Sequence, residues 1–381
     1  MIPLAIPNLK GNERRYLSDC IDTNFVSTIG PFVSKFEQQI SAASGFSETV
    51  ATSSGSSALH TALLAVDVKP GDLVICPGLS FIATANAITY CQAQPWLIDI
   101  DKRSWTIDPS KVQEALTTQT FVGVDGLPVH RKTGKRVAAI LPVYTLGTPA
   151  DMDAIVEIAS SFHVPIVADA AAALGSTYKG RNLSELGTAL TIFSFNGNKT
   201  VTAGGGGAVS GNNQKIIDLV RHLTTTARVG SDYDHDRVGF NYRLTNLQAA
   251  VGCAQMESLN QYVEKKREIA RFYCDAFSDL PGVRPFPKPD YANSACWFSG
   301  FVLENGDPSG LRKELRNKGI DARPFWKPLN LQLPFSDAPR ANLDVSEYIW
   351  SRIVTLPCST GISDDELGIV ANSVRQLILA S

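Results

Sequence analysis

An acid and an amine, thirty residues apart, are the side chains of this sequence best placed for chemistry. Asp169 ends the strongly apolar run VPIVADAAAALGS, and Lys199 lies in FNGNKTVTAGGGG. A carboxylate at the end of a buried strand is costly unless a cation meets it. A lysine amine that loses its proton can bond to a carbonyl carbon. The alternatives are a helix N-cap for Asp169 and a surface position for Lys199.

Two further segments could contribute to a ligand site, one through an anion-binding helix start and the other through an aromatic side chain. The run SSGSS, which contains Gly55, Ser56 and Ser57, joins a short strand to a helix. Free N–H groups at such a helix start can hold a phosphate, although serine there also serves as an ordinary N-cap. Phe81 follows the buried strand LVICP and the turn Pro-Gly. It could stack on a planar cofactor or belong to the core.

The four features together predict pyridoxal 5'-phosphate (PLP) as the cofactor. PLP enzymes use a lysine that bonds to the cofactor and an acid that pairs with its ring nitrogen. In that arrangement Asp169 keeps the ring nitrogen protonated, and Lys199 carries the substrate proton once an amino substrate has displaced it. The four consecutive glycines at 204–207 indicate positive φ or a close backbone approach beside Lys199.

The elements that must position these residues alternate between strand and helix, which predicts an α/β domain with a mostly parallel sheet. We expect a large cofactor-binding domain at 1–250 and a small α+β domain at 251–381, joined by a long helix that begins after Thr245. The polar stretch 117–136 is predicted to form a hairpin. The remaining predicted strands lie at 49–51, 73–77, 96–100, 137–142, 165–168, 190–195 and 297–304, and the predicted helices at 56–66, 81–91, 151–162, 309–318 and 364–379.

Composition excludes several other classes of function. With 35 Lys+Arg against 37 Asp+Glu, the net charge of −2 provides no field for nucleic acid or anionic lipid. No apolar run approaches the length of a membrane span, and residues 1–13 lack the basic-then-apolar order of a signal peptide, so export is not expected. The seven scattered cysteines are typical of reduced thiols in a cytoplasmic protein. Histidines at metal-ligand spacing are missing, so no metal is expected, and dinucleotide, nucleotide-triphosphate and serine-hydrolase motifs are missing as well.

Several segments, in the same order along nearly the whole chain, resemble the DegT/DnrJ/EryC1/StrS family of PLP-dependent nucleotide-sugar aminotransferases. The matching segments are VSTIGPFVSKFE (26–37), ILPVYTLGTPADMDAI (140–155), FSFNGNKTVTAGGGG (193–207), HDRVGFNYRLTNLQAAVG (235–252) and ARPFWKPLNLQLPF (322–335). The resemblance implies PLP fold type I, with a mixed, mostly parallel seven-stranded sheet. It is nearest to the subgroup that acts at C4 of UDP-2-acetamido-4-keto-2,6-dideoxyhexoses, which includes the legionaminic acid pathway.

The resemblance also implies roles for single residues. Lys199 would bond to PLP, Asp169 would pair with its ring nitrogen, and Phe81 would stack on it. Ser56 and Ser194 would hold the phosphate. The substrate candidates are Tyr144, Arg243, Trp326 and Asn330, and Asn241 would reach the cofactor of the neighbouring subunit in a homodimer with shared active sites.

The resemblance implies L-glutamate as the amino donor and a keto sugar on a nucleoside diphosphate as the acceptor. Three positions depart from the family pattern, namely Ala172 in place of Gln, His or Glu, and Tyr144 and Asn330 in place of His. The retained Lys199 argues against the family's sugar dehydratases. The alternatives are amination of a keto-inositol or another cyclic ketone, and a catalytically impaired PLP-binding regulator.

Overall fold

A computed structural model describes residues 1–380. Its α-helices are α1 (Glu13–Asp22), α2 (Pro31–Ser44), α3 (Gly55–Ala65), α4 (Ile82–Tyr90), α5 (Pro109–Gln119), α6 (Met152–Ser161), α7 (Gln214–Thr224), α8 (Asn246–Met256), α9 (Leu259–Ala276), α10 (Pro308–Asn317), α11 (Asp344–Trp350) and α12 (Asp364–Leu379). Its strands are β1 (Glu48–Thr52), β2 (Leu73–Pro77), β3 (Gln94–Ile98), β4 (Thr120–Val122), β5 (Pro128–His130), β6 (Val137–Ile140), β7 (Val167–Asp169), β8 (Thr177–Tyr178), β9 (Leu190–Ser194), β10 (Gly207–Gly211), β11 (Arg228–Val229), β12 (Asp234–His235), β13 (Val283–Pro285), β14 (Ala292–Asn293), β15 (Ser299–Leu303) and β16 (Ile353–Leu356).

A central sheet runs through the first two thirds of the chain. Within residues 1–380, four strands (β1, β10, β9, β7) and three strands (β3, β2, β6) form two ladders. Bridges from Ile140 to Ile166 and from Val143 to Asp169 join the ladders in parallel. The order is therefore β3-β2-β6-β7-β9-β10-β1, and only β10 runs antiparallel to its neighbours. This is the mostly parallel seven-stranded sheet of PLP fold type I, as predicted.

The sheet is covered on both faces, which explains why its strands are continuous apolar runs in the sequence. All five residues of β2 are buried. Ile75 belongs to the apolar cluster on one face, whereas Val74 and Cys76 belong to the cluster on the other. Successive side chains of β2 thus pack alternately against the helical layers on the two faces of the sheet.

The C-terminal third forms a smaller α+β arrangement. Strands β13, β15 and β16 make an antiparallel sheet, and its core includes Ile269 of α9, Phe301 of β15 and Val370 of α12. The N-terminus joins this part of the fold, because Ile2 forms a bridge with Ile320. The predicted domain boundary at 250 and 251 stays a prediction.

The predicted long helix is wrong, because the chain forms two helices there, α8 and α9. Glu257 lies in the turn between them and accepts hydrogen bonds from Tyr16 Oη at 2.5 Å and from Asn12 Nδ2 at 2.7 Å. These bonds fasten the turn to α1 and the residue before it. No Pro or Gly marks the break in the sequence, so only the tertiary contact shows it.

Other local predictions are confirmed. The polar stretch 117–136 contains the hairpin of β4 and β5. The predicted helices at 56–66, 309–318 and 364–379 correspond to α3, α10 and α12. In the part of the chain that the structure describes, no helix has both the length and the apolar character needed to cross a membrane.

Candidate active site

A cavity of about 340 Å³ lies at the carboxyl edge of the central sheet. Parallel strands β7 and β9 end there, at Asp169 and Ser194, and open α/β sheets bind ligands at this edge. The cavity brings together eight of the residues predicted from the sequence, namely Gly55, Ser56, Phe81, Tyr144, Asp169, Ser194, Lys199 and Trp326.

The Asp169 carboxylate is buried at this edge and aligned by two hydrogen bonds. Thr84 Oγ1 donates to its Oδ2 at 2.7 Å, and the Ala171 N–H donates to its Oδ1 at 3.1 Å. No cation lies within 4 Å of it among residues 1–380. Burial accordingly raises the pKa of Asp169, against the effect of these hydrogen bonds and of Lys199. Turns follow Asp169, which excludes the helix N-cap alternative.

The Lys199 amine lies inside the cavity and not on the surface. Burial lowers the pKa of Lys199 to about 8, although the charge of Asp169 opposes this shift. The neutral amine, which is the nucleophilic form, is therefore well populated at mildly alkaline pH. A turn closed by the Lys199 N–H and the Asn196 carbonyl, at 2.9 Å, holds the backbone.

The serine-rich run caps α3 and also borders the cavity. Ser54 and Ser57 form a capping box, in which each side chain accepts a hydrogen bond from the backbone of the other. Ser57 is thereby engaged inside the helix and does not line the cavity, whereas Gly55 and Ser56 of the first turn do. The first turn of a helix carries N–H groups and positive dipole that favour an anion.

The glycines after Lys199 adopt positive φ or lie close to other backbone, as the sequence predicts. Gly204 and Gly206 have φ values of +77° and +108°. A Cβ on Gly207 would lie 2.4 Å from the Ser54 carbonyl oxygen, which belongs to the helix start. The loop that carries Lys199 can therefore lie directly against the N-terminus of α3.

We expect Gly207→Ala to destabilise the protein by about 1 to 3 kcal/mol, because the new methyl group must displace backbone that has no room to move. Cofactor affinity should fall as well, since the displaced backbone is the helix start. Thermal unfolding and cofactor titration measure the two effects. Gly197→Ala is the matched control, because a Cβ at Gly197 meets no atom within 4 Å. Equal stability of the two variants would contradict this expectation.

Aromatic side chains surround the mouth of the cavity. Phe81 is 52% exposed, which excludes a core position, and its ring centroid lies 6.0 Å from that of Trp326. Tyr144 is buried, and its hydroxyl has no hydrogen-bond partner within the described structure. Tyr144 lines the cavity, and a buried hydroxyl without a partner is a group that a polar ligand could satisfy.

Three predicted residues lie elsewhere in the same chain. Asn241 and Arg243 line a second cavity of about 970 Å³, and Arg243 Nη1 donates to Glu37 Oε1 at 2.6 Å. Asn330 Nδ2 donates to Glu347 Oε1 at 2.7 Å and does not line the Lys199 cavity. The three side chains therefore do not reach Asp169 and Lys199 within one chain.

Two residues that contact the acid and the amine of the cavity were missed by the sequence analysis. Thr84 holds Asp169, and its position three residues after Phe81, in a segment already singled out, was the available signal. Trp297 lies under the Lys199 amine, but it is nearly one hundred residues away in the chain. No local pattern marks it.

The donor set of the cavity fits PLP. A helix start with Gly55 and Ser56 suits a phosphate group. A buried carboxylate without a cationic partner suits a protonated ring nitrogen, and a lysine with a lowered pKa suits bonding to an aldehyde carbon. All three line one cavity.

Comparison with known proteins supplies the family. The profile of the DegT/DnrJ/EryC1/StrS aminotransferase family matches residues 7–375. The chain belongs to this family. As a DegT/DnrJ/EryC1/StrS protein it is an aminotransferase, and PLP is the cofactor of these enzymes.

Relatives within the DegT/DnrJ/EryC1/StrS family match over nearly their whole length. EpsN of Bacillus subtilis (strain 168), whose name assigns it to the PLP-dependent aminotransferases, is 36% identical over 99% of this chain and 95% of its own. The GDP-perosamine synthase of Caulobacter vibrioides is 33% identical over 99% and 98%. A family member from Brucella abortus with a crystal structure has a TM-score of 0.88 at 26% identity, covering 96% and 95%.

Proposed function

We propose that the protein transfers an amino group from L-glutamate to a keto carbon, C4, of a nucleotide-linked 4-keto-6-deoxy sugar. The first candidate is UDP-2-acetamido-4-keto-2,6-dideoxyhexose, as in the legionaminic acid subgroup, for surface-polysaccharide or glycan sugar biosynthesis. The observation that carries the proposal is that Asp169 and Lys199 line the same cavity of a DegT/DnrJ/EryC1/StrS chain.

The proposed cofactor contacts follow from the lining of the cavity. Gly55, Ser56 and Ser194 would hold the phosphate, and Phe81 would stack on the ring. Ser57 would act indirectly, because its capping box fixes the first turn of α3.

Two residues would carry out the proton chemistry. When bound, PLP supplies an electron sink for the Cα–H bond of the amino substrate. The Asp169 carboxylate, aligned by Thr84, holds a proton on the ring nitrogen. Lys199 Nζ would attach to the cofactor and, when free, would take the substrate proton. Its pKa of about 8 suits both roles, because a general base works best when its pKa lies near the operating pH.

We also propose a homodimer with shared active sites. Asn241 lines the second cavity together with Phe25 and Ile29, which are 44% and 73% exposed. Exposed apolar side chains beside a polar cavity are typical of a contact surface. Asn241 would then reach the cofactor phosphate of the partner, and Arg243, already paired with Glu37, would border the same contact.

Substrate contacts are proposed for further residues that line or border the cavity. Tyr144 offers an unpaired hydroxyl, and Trp326 offers an aromatic wall beside Phe81. Asn330 follows Trp326 in the loop segment 322–335. The Asn330 Oδ1 has no hydrogen-bond partner within the described residues. It would meet the sugar only if this loop moved toward the cavity.

A GDP-linked 4-keto sugar is a second candidate acceptor. It is favoured by the similarity to the GDP-perosamine synthases, of which that of Escherichia coli O157:H7 is 32% identical over 98% of this chain. We propose a cytoplasmic location, because all seven cysteines are free and five are buried, which is typical of reducing compartments.

The direct test is a panel of ketones offered to the PLP-loaded protein with L-glutamate. We expect mass spectrometry to detect an aminated product from a UDP- or GDP-linked 4-keto-6-deoxy sugar, and none from a keto-inositol. Lys199→Ala is the matched control and should give no product. Product from the keto-inositol alone would favour the alternative function, amination of a keto-inositol or another cyclic ketone. Cofactor absorbance that L-glutamate fails to change would favour a PLP-binding regulator.

A further inference from the structure

Trp297 forms the wall of the cavity against which the Lys199 amine lies. Lys199 Nζ is 3.7 Å from the centroid of the Trp297 ring, and Trp297 is only 3% exposed. An ammonium group over an indole face is attracted by the negative charge of the π system, and the attraction is largest where water is excluded.

The indole ring is fixed by its neighbours. Its Nε1 donates a hydrogen bond of 2.7 Å to the carbonyl of Asn198, the residue just before Lys199. Phe298 stacks on the ring with centroids 3.9 Å apart and planes 18° apart. Trp326 packs against it at 5.8 Å. These contacts hold the Trp297 ring in place, so contact between the two side chains depends on the position of the Lys199 side chain.

The backbone of Trp297 is held as well. Its N–H donates to the Leu146 carbonyl at 2.9 Å. Its carbonyl accepts a bond of 2.9 Å from the buried amine of Lys266, which also donates to the Cys358 carbonyl at 2.6 Å. A buried lysine bonded to two carbonyls ties Trp297 to Cys358, just after β16. The C-terminal part of the fold therefore helps to set the position of the ring.

This position matters because Asp169 lies in the same cavity and would attract the Lys199 ammonium. An ion pair between them would consume the carboxylate that the ring nitrogen needs. No such pair forms within 4 Å among the residues that the structure describes. The Trp297 face offers the ammonium a favourable contact that leaves Asp169 free.

We propose that Trp297 is a positioning residue for Lys199. Whenever the Lys199 amine is not covalently attached, it rests on the ring of Trp297. The inference rests on the proposed role of Lys199. It adds that Trp297 sets how readily this amine loses its proton and keeps it apart from Asp169. A ring that stabilises the ammonium form opposes the effect of burial on the pKa of Lys199.

The experiment follows PLP attachment to the cofactor-free protein as a function of pH. Borohydride reduction traps the attached cofactor, and intact mass spectrometry gives the attached fraction. Trp297→Leu should lower the midpoint pH of attachment by about 0.5 to 1.5 units, because the ammonium loses its cation–π contact. Trp297→Phe keeps a ring face and should stay within about 0.3 units of the wild type.

Trp105→Leu is the matched control, because Trp105 is a buried tryptophan of the same apolar cluster that does not contact Lys199. It should lower the melting temperature without moving the midpoint. Trp297→Met carries the same expectation as Trp297→Leu and replaces it if the leucine variant does not fold. An unchanged or higher midpoint in a folded non-aromatic variant would overturn the inference. Attachment to Lys199→Ala would instead overturn the proposed role of Lys199.

Discussion

Lys199→Ala is expected to lower amino transfer by at least about 10³-fold, because the variant loses both the covalent attachment and the proton carrier. Steady-state product formation from L-glutamate and the accepted keto sugar measures the loss. The fold should survive, since Lys199 forms no ion pair with Asp169 whose loss would leave the carboxylate newly unpaired. After borohydride reduction, the wild type should carry the mass of the reduced PLP adduct, and the variant should not.

Lys215→Ala is the matched control for Lys199→Ala, because Lys215 is exposed on α7. It should keep full activity and take up PLP normally. Turnover retained by Lys199→Ala, or PLP trapped on another lysine, would refute the assignment of Lys199. Loss of activity together with loss of the thermal unfolding transition would mean that Lys199 supports the fold.

Asp169→Asn is expected to lower the turnover number about 10²- to 10⁴-fold. The amide has nearly the shape of the carboxylate and can still accept the Thr84 hydrogen bond, but it cannot hold a proton on the ring nitrogen. Single-turnover reaction with L-glutamate, followed by the change in cofactor absorbance, isolates this half of the reaction. Retained single-turnover rates would refute the assignment.

The same substitution should stabilise the cofactor-free protein at neutral pH. Burial raises the pKa of Asp169 in the folded state, so the folded protein holds this proton to a higher pH than the unfolded chain does. The folded protein therefore loses stability as the pH rises from the pKa of Asp169 in the unfolded chain through its pKa in the folded protein. Asp169→Asn escapes this loss and should melt higher than the wild type at pH 7, but not at pH 3.

Asp365→Asn, in the first turn of α12, is the control for Asp169→Asn, because it removes an exposed carboxylate. It should leave turnover unchanged and should not raise the melting temperature of the cofactor-free protein. If Asp169→Asn also failed to raise that temperature at pH 7, Asp169 would not be a destabilising buried charge.

The sequence determined the fold and the chemistry of this protein, because both depend on local order along the chain. Apolar runs that alternate with helices specified the sheet, and strand ends specified Asp169 and the serine-rich turn. The glycines at 204–207 specified a close backbone approach, which Gly207 makes with Ser54. Such features need only a few neighbouring residues to be recognised.

Only the tertiary structure decided which distant residues meet. The break between α8 and α9 coincides with contacts of Glu257 with Tyr16 and Asn12. The contact of Trp297 with Lys199 depends on how the C-terminal part packs on the sheet. Side-chain contacts between segments far apart in the chain arise from the packing of whole elements, and no spacing along the chain encodes them. The acid and the lysine were therefore predictable, and the ring beneath the lysine was not.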